Sequence, residues 1–447
     1  MKKKFFLYLI YIFIFFTLIL WILDYNFSKK QFTFLKIKKL ISKDNIAFLK
    51  KNASSFIDFN FEVSKKDVFK LENKIVGFEK FSNKFLKYRY YLEQDKKNIY
   101  LITNRGELFY FPKETILSKK NFELKKIKKN IEKVIGKDHL IDKNLVIKEI
   151  LLINKEIYVS YINNDNECFS NAILKGNLDL KKIFFSKFVK LDECKKRYNL
   201  SQGGNIKEFK DNKIVFTVGD YEAYESSLDN TNEAQEINSY YGKILQVDLK
   251  SKKIDILSMG HRNPQGIFYD FENDFLFSTE HGPQGGDEVN ININPNKNEL
   301  KNFGWPISSY GEHYGEEQGW SEKVKLNQNL LNENKLYRRA PLYKSHKDYG
   351  FIEPIRYFTP SIGITEILKV NNSSGQDHKL LVASMGYDKE EDDMTLHILK
   401  FDKDFKETKY EKIYIGERIR DIIDLDNGSI LMTIESSGSI ALLSNIY

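Results

Sequence analysis

Short β-type runs separated by turn signals recur along most of this chain, and they restrict its fold more than any other feature. From Ile75 onward they include Asn98 to Ile102, Glu107 to Phe111, Glu156 to Tyr161, Lys213 to Val218, Phe275 to Thr279 and Leu380 to Ala383, the pattern of an antiparallel meander. Two hairpins are readable. Ile422 to Leu425 and Ser429 to Ile434 flank Asp426, Asn427 and Gly428, where Asn-Gly supplies the positive φ angles that a tight hairpin turn demands. Ile267 to Tyr269 and Phe275 to Ser278 flank Glu272, Asn273 and Asp274 in the same way. Helical periodicity is scarce; the best candidate helix, Lys119 to Ile135, is heavily loaded with lysine. Many short strands and few helices predict an all-β sandwich, barrel or propeller, and 447 residues favour the propeller. No fixed-period repeat persists, so blade boundaries are not assigned at this stage.

The N-terminus reads differently. Phe5 to Leu23 is a run of nineteen mostly apolar residues behind Lys2, Lys3 and Lys4, long enough to cross the hydrocarbon of a bilayer as a helix. The leading lysines favour a cytoplasmic N-terminus and an exported body, although Lys29 and Lys30 weaken that bias. A cleaved signal peptide is the rival, but the stretch lacks the small-residue cleavage site such peptides carry. The expected organisation is a signal-anchor helix over 1–27, a stalk over 28–70 and a β-propeller over 71–447.

Residues 1–40 hold eight lysines and one aspartate, and so carry seven of the eight net positive charges. The remaining body is nearly neutral, which argues against a nucleic-acid partner, since that requires a basic footprint on the folded domain. The lysines near the apolar run fit a topology or lipid-headgroup signal instead. Cys168 and Cys194 are the two cysteines. Export permits a disulfide between them, two separate buried thiols fit equally, and geometry decides.

The densest motif is Gly260, His261, Arg262, Asn263, Pro264, Gln265, Gly266. It is followed by Glu280, His281, Gly282, Pro283, Gln284, Gly285, Gly286, Asp287, Glu288 and then by Asn302, Phe303, Gly304, Trp305, Pro306. Thr217 to Asp220, Ala234-Gln235, Gly242 to Ile244 and Arg418 to Asp421 extend the series. Together these resemble the signature of the PQQ-dependent glucose/sorbosone (aldose sugar) dehydrogenases. The resemblance implies a six-bladed propeller with the cofactor at the mouth of its central channel; the N-terminal run adds the expectation that the propeller is membrane-anchored and exported, to the periplasmic or extracellular face.

PQQ (pyrroloquinoline quinone) carries three carboxylates, and arginine suits bidentate carboxylate recognition. The resemblance gives cofactor binding to Arg262, Asn263, Gln265, Arg418 and Arg420. It gives a calcium ion to the carbonyls of Gly282 and Pro283, a ligand type calcium accepts. Sugar oxidation in the family uses a histidine as general base. Here that position holds Leu200 or Ser201, and a neighbouring arginine position holds Asn205. The family's cofactor-facing lysine falls near Met385 or Gly386, and its upstream Gln-containing segment finds Asp142, Lys143 and Asn144. Three readings therefore stay open. One is an enzyme of altered chemistry in which His281, His313 or Asp220 supplies the base. Another is a catalytically silent propeller binding a sugar, a quinone-like anion or a protein partner. The third is a calcium-dependent lactonase-type propeller, which needs carboxylate and Asn ligands converging at the channel. His261 and His281 also fit structural hydrogen-bonding roles.

Overall fold

The computed structural model describes residues 59–447 apart from 73, 84–88, 143–145, 197–199, 222–232, 284, 312–341, 344–345, 371–376, 387–392, 426 and 447. Its architecture is six antiparallel blades around a central channel. Blade 1 comprises Tyr90–Gln94, Asn98–Thr103, Leu108–Pro112 and Lys125–Lys129; blade 2, Ile147–Ile153, Glu156–Asn164, Phe169–Asn177 and Ser186–Lys190. Blade 3 comprises Gly203–Phe209, Lys213–Val218, Lys243–Asp248 and Ile254–Met259; blade 4, Pro264–Asp270, Phe275–Glu280, Asp287–Ile293 and Arg356–Phe358. Blade 5 comprises Ile364–Val370, His378–Ser384, Thr395–Phe401 and Glu407–Tyr414. Blade 6 contributes Ile419–Asp424, Ser429–Ile434 and Ser439–Ser444, and is completed by Lys74–Ser82 from the start of the unit, which pairs with the last strand. That pairing closes the ring and removes the edge an open sheet would expose. The six blades expected above are present.

The first strand of each blade lines the channel and touches the first strands of both neighbours. The core is accordingly divided into six hydrophobic clusters, one between each pair of adjacent blades. Inward alternation on both faces of each blade supplies them, as expected for sheets covered on two sides.

Three expectations need adjustment. The lysine-loaded stretch 119–135 is not one helix: Phe122–Glu123 and Lys125–Lys129 are strands, and only Ile131–Ile135 is helical. Phe122, Leu124 and Ile127 are buried while Glu123, Lys125, Lys126 and Lys128 are exposed, a solvated outer strand whose lysines discourage edge pairing. Residues 60–70, assigned above to a stalk, belong to the strand Asn60–Leu71, which pairs with Lys74–Ser82. The apolar run Phe5 to Leu23 lies outside the described residues, among which no helix is long and apolar enough to cross a membrane. The two cysteines are joined in a Cys168–Cys194 disulfide with Cα atoms 5.2 Å apart.

Five of the six inner strands start with one tetrapeptide pattern. These are Ile147-Lys148-Glu149-Ile150, Gly203-Gly204-Asn205-Ile206, Pro264-Gln265-Gly266-Ile267, Ile364-Thr365-Glu366-Ile367 and Ile419-Arg420-Asp421-Ile422. In each the pairing register slips within the tetrapeptide. Such a β-bulge leaves one residue unpaired and re-aims its side chain. The last isoleucine of each is fully buried and anchors the pattern to the inter-blade core.

Candidate functional site at the channel mouth

All six inner strands run in the same sense, so the loops that lead into them gather on one rim of the ring. Arg262, Asn263 and Gln265 lie at the entry to blade 4, Arg418 and Arg420 at blade 6, and Ser201 and Asn205 at blade 3.

The blade 3 to blade 4 sector is built on hydrogen bonds between motif residues. Gln235 and Asn302 join their side-chain amides in both directions, at 3.2 and 2.7 Å, and Gln235 also donates to the Trp305 carbonyl. Gly304 is at φ 92°, and a Cβ there would collide with the His346 ring; only glycine fits. Trp305 is thereby aimed so that its indole N–H donates to Asp220 at 2.7 Å. The other Asp220 oxygen accepts from the Ser201 hydroxyl at 2.8 Å. Ser201, not Leu200, therefore stands beside the carboxylate: Leu200 is 65% exposed and Ser201 is buried.

His261 is fully buried, bonded to Ser258 at 2.8 Å and Glu280 at 2.9 Å, and stacked on Phe303, so its role is structural. His281 lies 3.8 Å from Asp287. Burial alone would raise the Asp287 pKa, but the His281 contact and backbone N–H donors at 362 and 364 hold it below the ordinary value. His313 lies outside the described residues. Lys243 is fully buried and donates to the carbonyls of Glu233, Ala234 and Tyr241; burial pulls it down to about 7. The Gly-Lys-Ile motif is thus a brace and not a ligand.

Arg262 stacks over Trp305 at 5.4 Å and donates to the carbonyls of His281 at 3.1 Å and Gly282 at 2.6 Å. The Gly282 carbonyl is one of the two assigned above to calcium. The other, Pro283, accepts from Ser361 at 3.5 Å. Calcium needs six to eight oxygens, and a divalent ion at Gly282 meets a guanidinium on the same carbonyl. As arranged, this pair does not fit calcium, and no step is derived through it. Asn263 accepts from the Gly203 N–H at 3.0 Å and from Gln265 at 2.9 Å, while Asn205 donates to the Gln265 carbonyl. These bonds lock blade 3 to blade 4.

The blade 6 sector is cationic. Glu435 is shared by three arginines, with contacts of 2.9 Å to Arg89, 2.6 Å to Arg420 and 3.6 Å to Arg418. Arg418 also donates to the Gly386 carbonyl and the Met385 sulfur. Burial would raise Glu435, but Arg420, Arg89 and Arg418 hold it below its usual range. Lys148 lies close to Arg420 and Arg89, and burial with those two cations lowers its ammonium to about 7. Three arginines and a lysine against one carboxylate leave a surplus of positive charge, which fits a polycarboxylate such as PQQ. Arg89 and Lys148 were not singled out in the sequence. The recurring tetrapeptide carries the signal for Lys148, because it puts that residue in register with Gln265 and Arg420.

Deeper in the channel the sign reverses. Glu149, Glu366 and Asp421 bring carboxylate oxygens within 4.8 Å of one another, and the Lys207 ammonium sits 3.7 Å from Glu149 and 3.6 Å from Glu366. Burial raises Glu149 and Glu93, and pushes Asp421 up to about 7. These acids also tie blades together. Asp421 accepts from the Leu92 N–H, Glu93 from Leu152 and Glu366 from Ile267.

A separate cavity of about 620 Å³ lies at the outer strands of blades 4 and 5, against Arg356, His397, Glu407 and Tyr410. Its lining reaches Ser361, beside Pro283, but the arginines that converge on Glu435 lie outside it, and they rather than cavity size define the site.

The comparisons with known proteins agree with the propeller fold. The family model for Glucose / Sorbosone dehydrogenase matches residues 144–329. The chain is 45% identical over 62 residues to the aldose sugar dehydrogenase of Escherichia coli, a match covering 14% of this chain and 15% of that one. The solved apo structure of the soluble E. coli aldose sugar dehydrogenase superimposes with TM-score 0.58 at 20% identity, over 83% of this chain and 99% of that one. The PQQ-bound aldose sugar dehydrogenase of Streptomyces coelicolor gives TM-score 0.55 at 15% identity, over 85% and 98%. Residues 144–329 thus resemble the glucose/sorbosone dehydrogenase family, and the solved structures share the propeller fold.

Proposed function

We propose that this propeller binds PQQ at the rim through Arg262, Asn263, Gln265, Arg418 and Arg420, and that it oxidises aldose sugars slowly because its proton acceptor is weak. The observation that carries the reading is the Ser201–Asp220 hydrogen bond at 2.8 Å. Oxidation of an aldose to its lactone removes the anomeric hydroxyl proton and transfers hydride from the same carbon. PQQ, when bound, supplies the hydride acceptor. Proton removal falls to this chain, and Ser201 stands where the family resemblance expects an imidazole. A serine hydroxyl is a poor base, and the Asp220 oxygens are already engaged by Ser201 and the Trp305 indole.

The test uses the full-length protein in detergent, with PQQ binding followed by fluorescence and dye reduction assayed with several aldoses. Binding with slow reduction is the expected result. No PQQ binding in the presence or absence of calcium ends the proposal. Binding with no reduction by any aldose leaves the silent propeller as the correct reading.

The apolar run 5–23 behind three lysines supports a retained membrane anchor with the propeller exported. The Cys168–Cys194 disulfide supports an oxidising compartment. Protease added to intact cells and to opened spheroplasts checks the topology; digestion restricted to the cytoplasmic side overturns it.

A further inference from the structure

We infer that Lys148 is a cofactor-contacting residue of this site, a cation delivered by blade 2 to a carboxylate of the ligand that Arg418 and Arg420 approach from blade 6. The inference rests on the PQQ reading above and adds residues to it.

Register is the first support. In blade 4 the bulge falls at Gln265, between Pro264 paired with Glu280 and Gly266 paired with Thr279. In blade 6 it falls at Arg420, between Ile419 paired with Ile434 and Asp421 paired with Thr433. In blade 2 it falls at Lys148, between Ile147 paired with Tyr161 and Glu149 paired with Ser160. Lys148 thus occupies in its blade the position that two of the proposed ligand contacts occupy in theirs, and a bulge there serves to turn a side chain toward the mouth.

Packing is the second support. The equivalent position of the next blade is Gly204, at φ 110°, where a Cβ would come within 2.5 Å of the Lys148 Cγ. The lysine stem fills the space left by that missing side chain, so Lys148 is held by shape. A larger residue at 204 would displace it.

Charge is the third. Arg89, Arg418 and Arg420 share Glu435, whereas Lys148 makes no hydrogen bond or ion pair among the described residues. A cation partly withdrawn from water beside two arginines is costly without an anion. A polycarboxylate bridging Lys148 and Arg420 removes that cost.

The test is PQQ affinity of the full-length protein, measured by calorimetry for the wild type, Lys148→Met and Lys148→Arg, with melting temperature recorded for each without ligand. Lys148→Met should weaken binding about tenfold to a hundredfold, the usual worth of a charge-assisted hydrogen bond. Lys148→Arg should stay within a few-fold of the wild type. The unliganded Lys148→Met protein should melt no lower than the wild type, because an unpaired cation has been removed; a structural lysine would lower it. Equal affinity of the wild type and Lys148→Met overturns this inference and leaves the PQQ reading standing. Failure of the wild type itself to bind overturns both.

Discussion

The rim and the tier of acids beneath it are made from consecutive residues, yet they do opposite work. Lys148 precedes Glu149, and Arg420 precedes Asp421. The first of each pair sits in a cationic group with Glu435 as its shared carboxylate. The second joins a buried acidic group neutralised by Lys207. The acids accept backbone N–H groups from neighbouring blades, so they hold the ring together. The bulge makes the separation possible, because it turns adjacent side chains apart over a single residue. Substitutions at Ser201 or Lys148 should therefore change turnover or ligand binding with little effect on stability, while substitutions in the acidic tier should do the reverse.

The largest expected effect is at the rim. Ser201→His places an imidazole beside Asp220, and aldose-dependent dye reduction should rise about a hundred- to ten-thousand-fold, the usual span of general-base catalysis. An unchanged rate in a protein that still binds PQQ shows that the pocket departs from the family in more than its base.

Next is Lys207→Met, which leaves Glu149 and Glu366 without their cation. Breaking a buried ion pair costs about 3–5 kcal/mol, read as a lower denaturation midpoint at pH 8. The loss should shrink at pH 6, where the raised Glu149 and Asp421 take up protons. A large loss of PQQ affinity in the folded variant would break the division between rim and tier.

Asp421→Asn tests the same tier through protons. The folded-state pKa of Asp421 is raised to about 7 from an ordinary 3.8. Its stabilising contribution is therefore present below the ordinary value and lost as pH rises through about 7. The wild type should lose about 1–3 kcal/mol more than Asp421→Asn between pH 4 and pH 7, measured by denaturant titration across that range. Parallel curves for the two proteins would remove Asp421 as the source.

The smallest effect sharpens the rim. Lys148 titrates near 7 among Arg89 and Tyr91 of blade 1, Arg420 and Glu435 of blade 6, and Glu149 of its own strand. Burial, the largest influence on it, holds Tyr91 neutral up to about 12, and Glu435 stays ionised below its usual range. PQQ affinity should then fall a few-fold between pH 6 and pH 8 in the wild type and stay flatter in Lys148→Met. A slope that survives the substitution points to another group.

The all-β class and most strand positions were legible because period-2 patterning and turn residues act locally. Lys119 to Ile135 misled because lysine spacing alone does not distinguish an exposed outer strand from a solvated helix. The motif residues were legible as a group, but their roles were not. Lys243 and His261 turned out to be braces once their buried partners were visible.

By itself the sequence determined the strand-rich fold and the motif residues that resemble the family, since each is written in residue type and spacing. Only the tertiary structure decided that Ser201 rather than Leu200 meets Asp220, that Arg262 grips the Gly282 carbonyl, and that Lys148 joins the rim. Those outcomes depend on bulges and blade packing, which bring together side chains from about twenty to more than two hundred residues apart through backbone register rather than through any local preference.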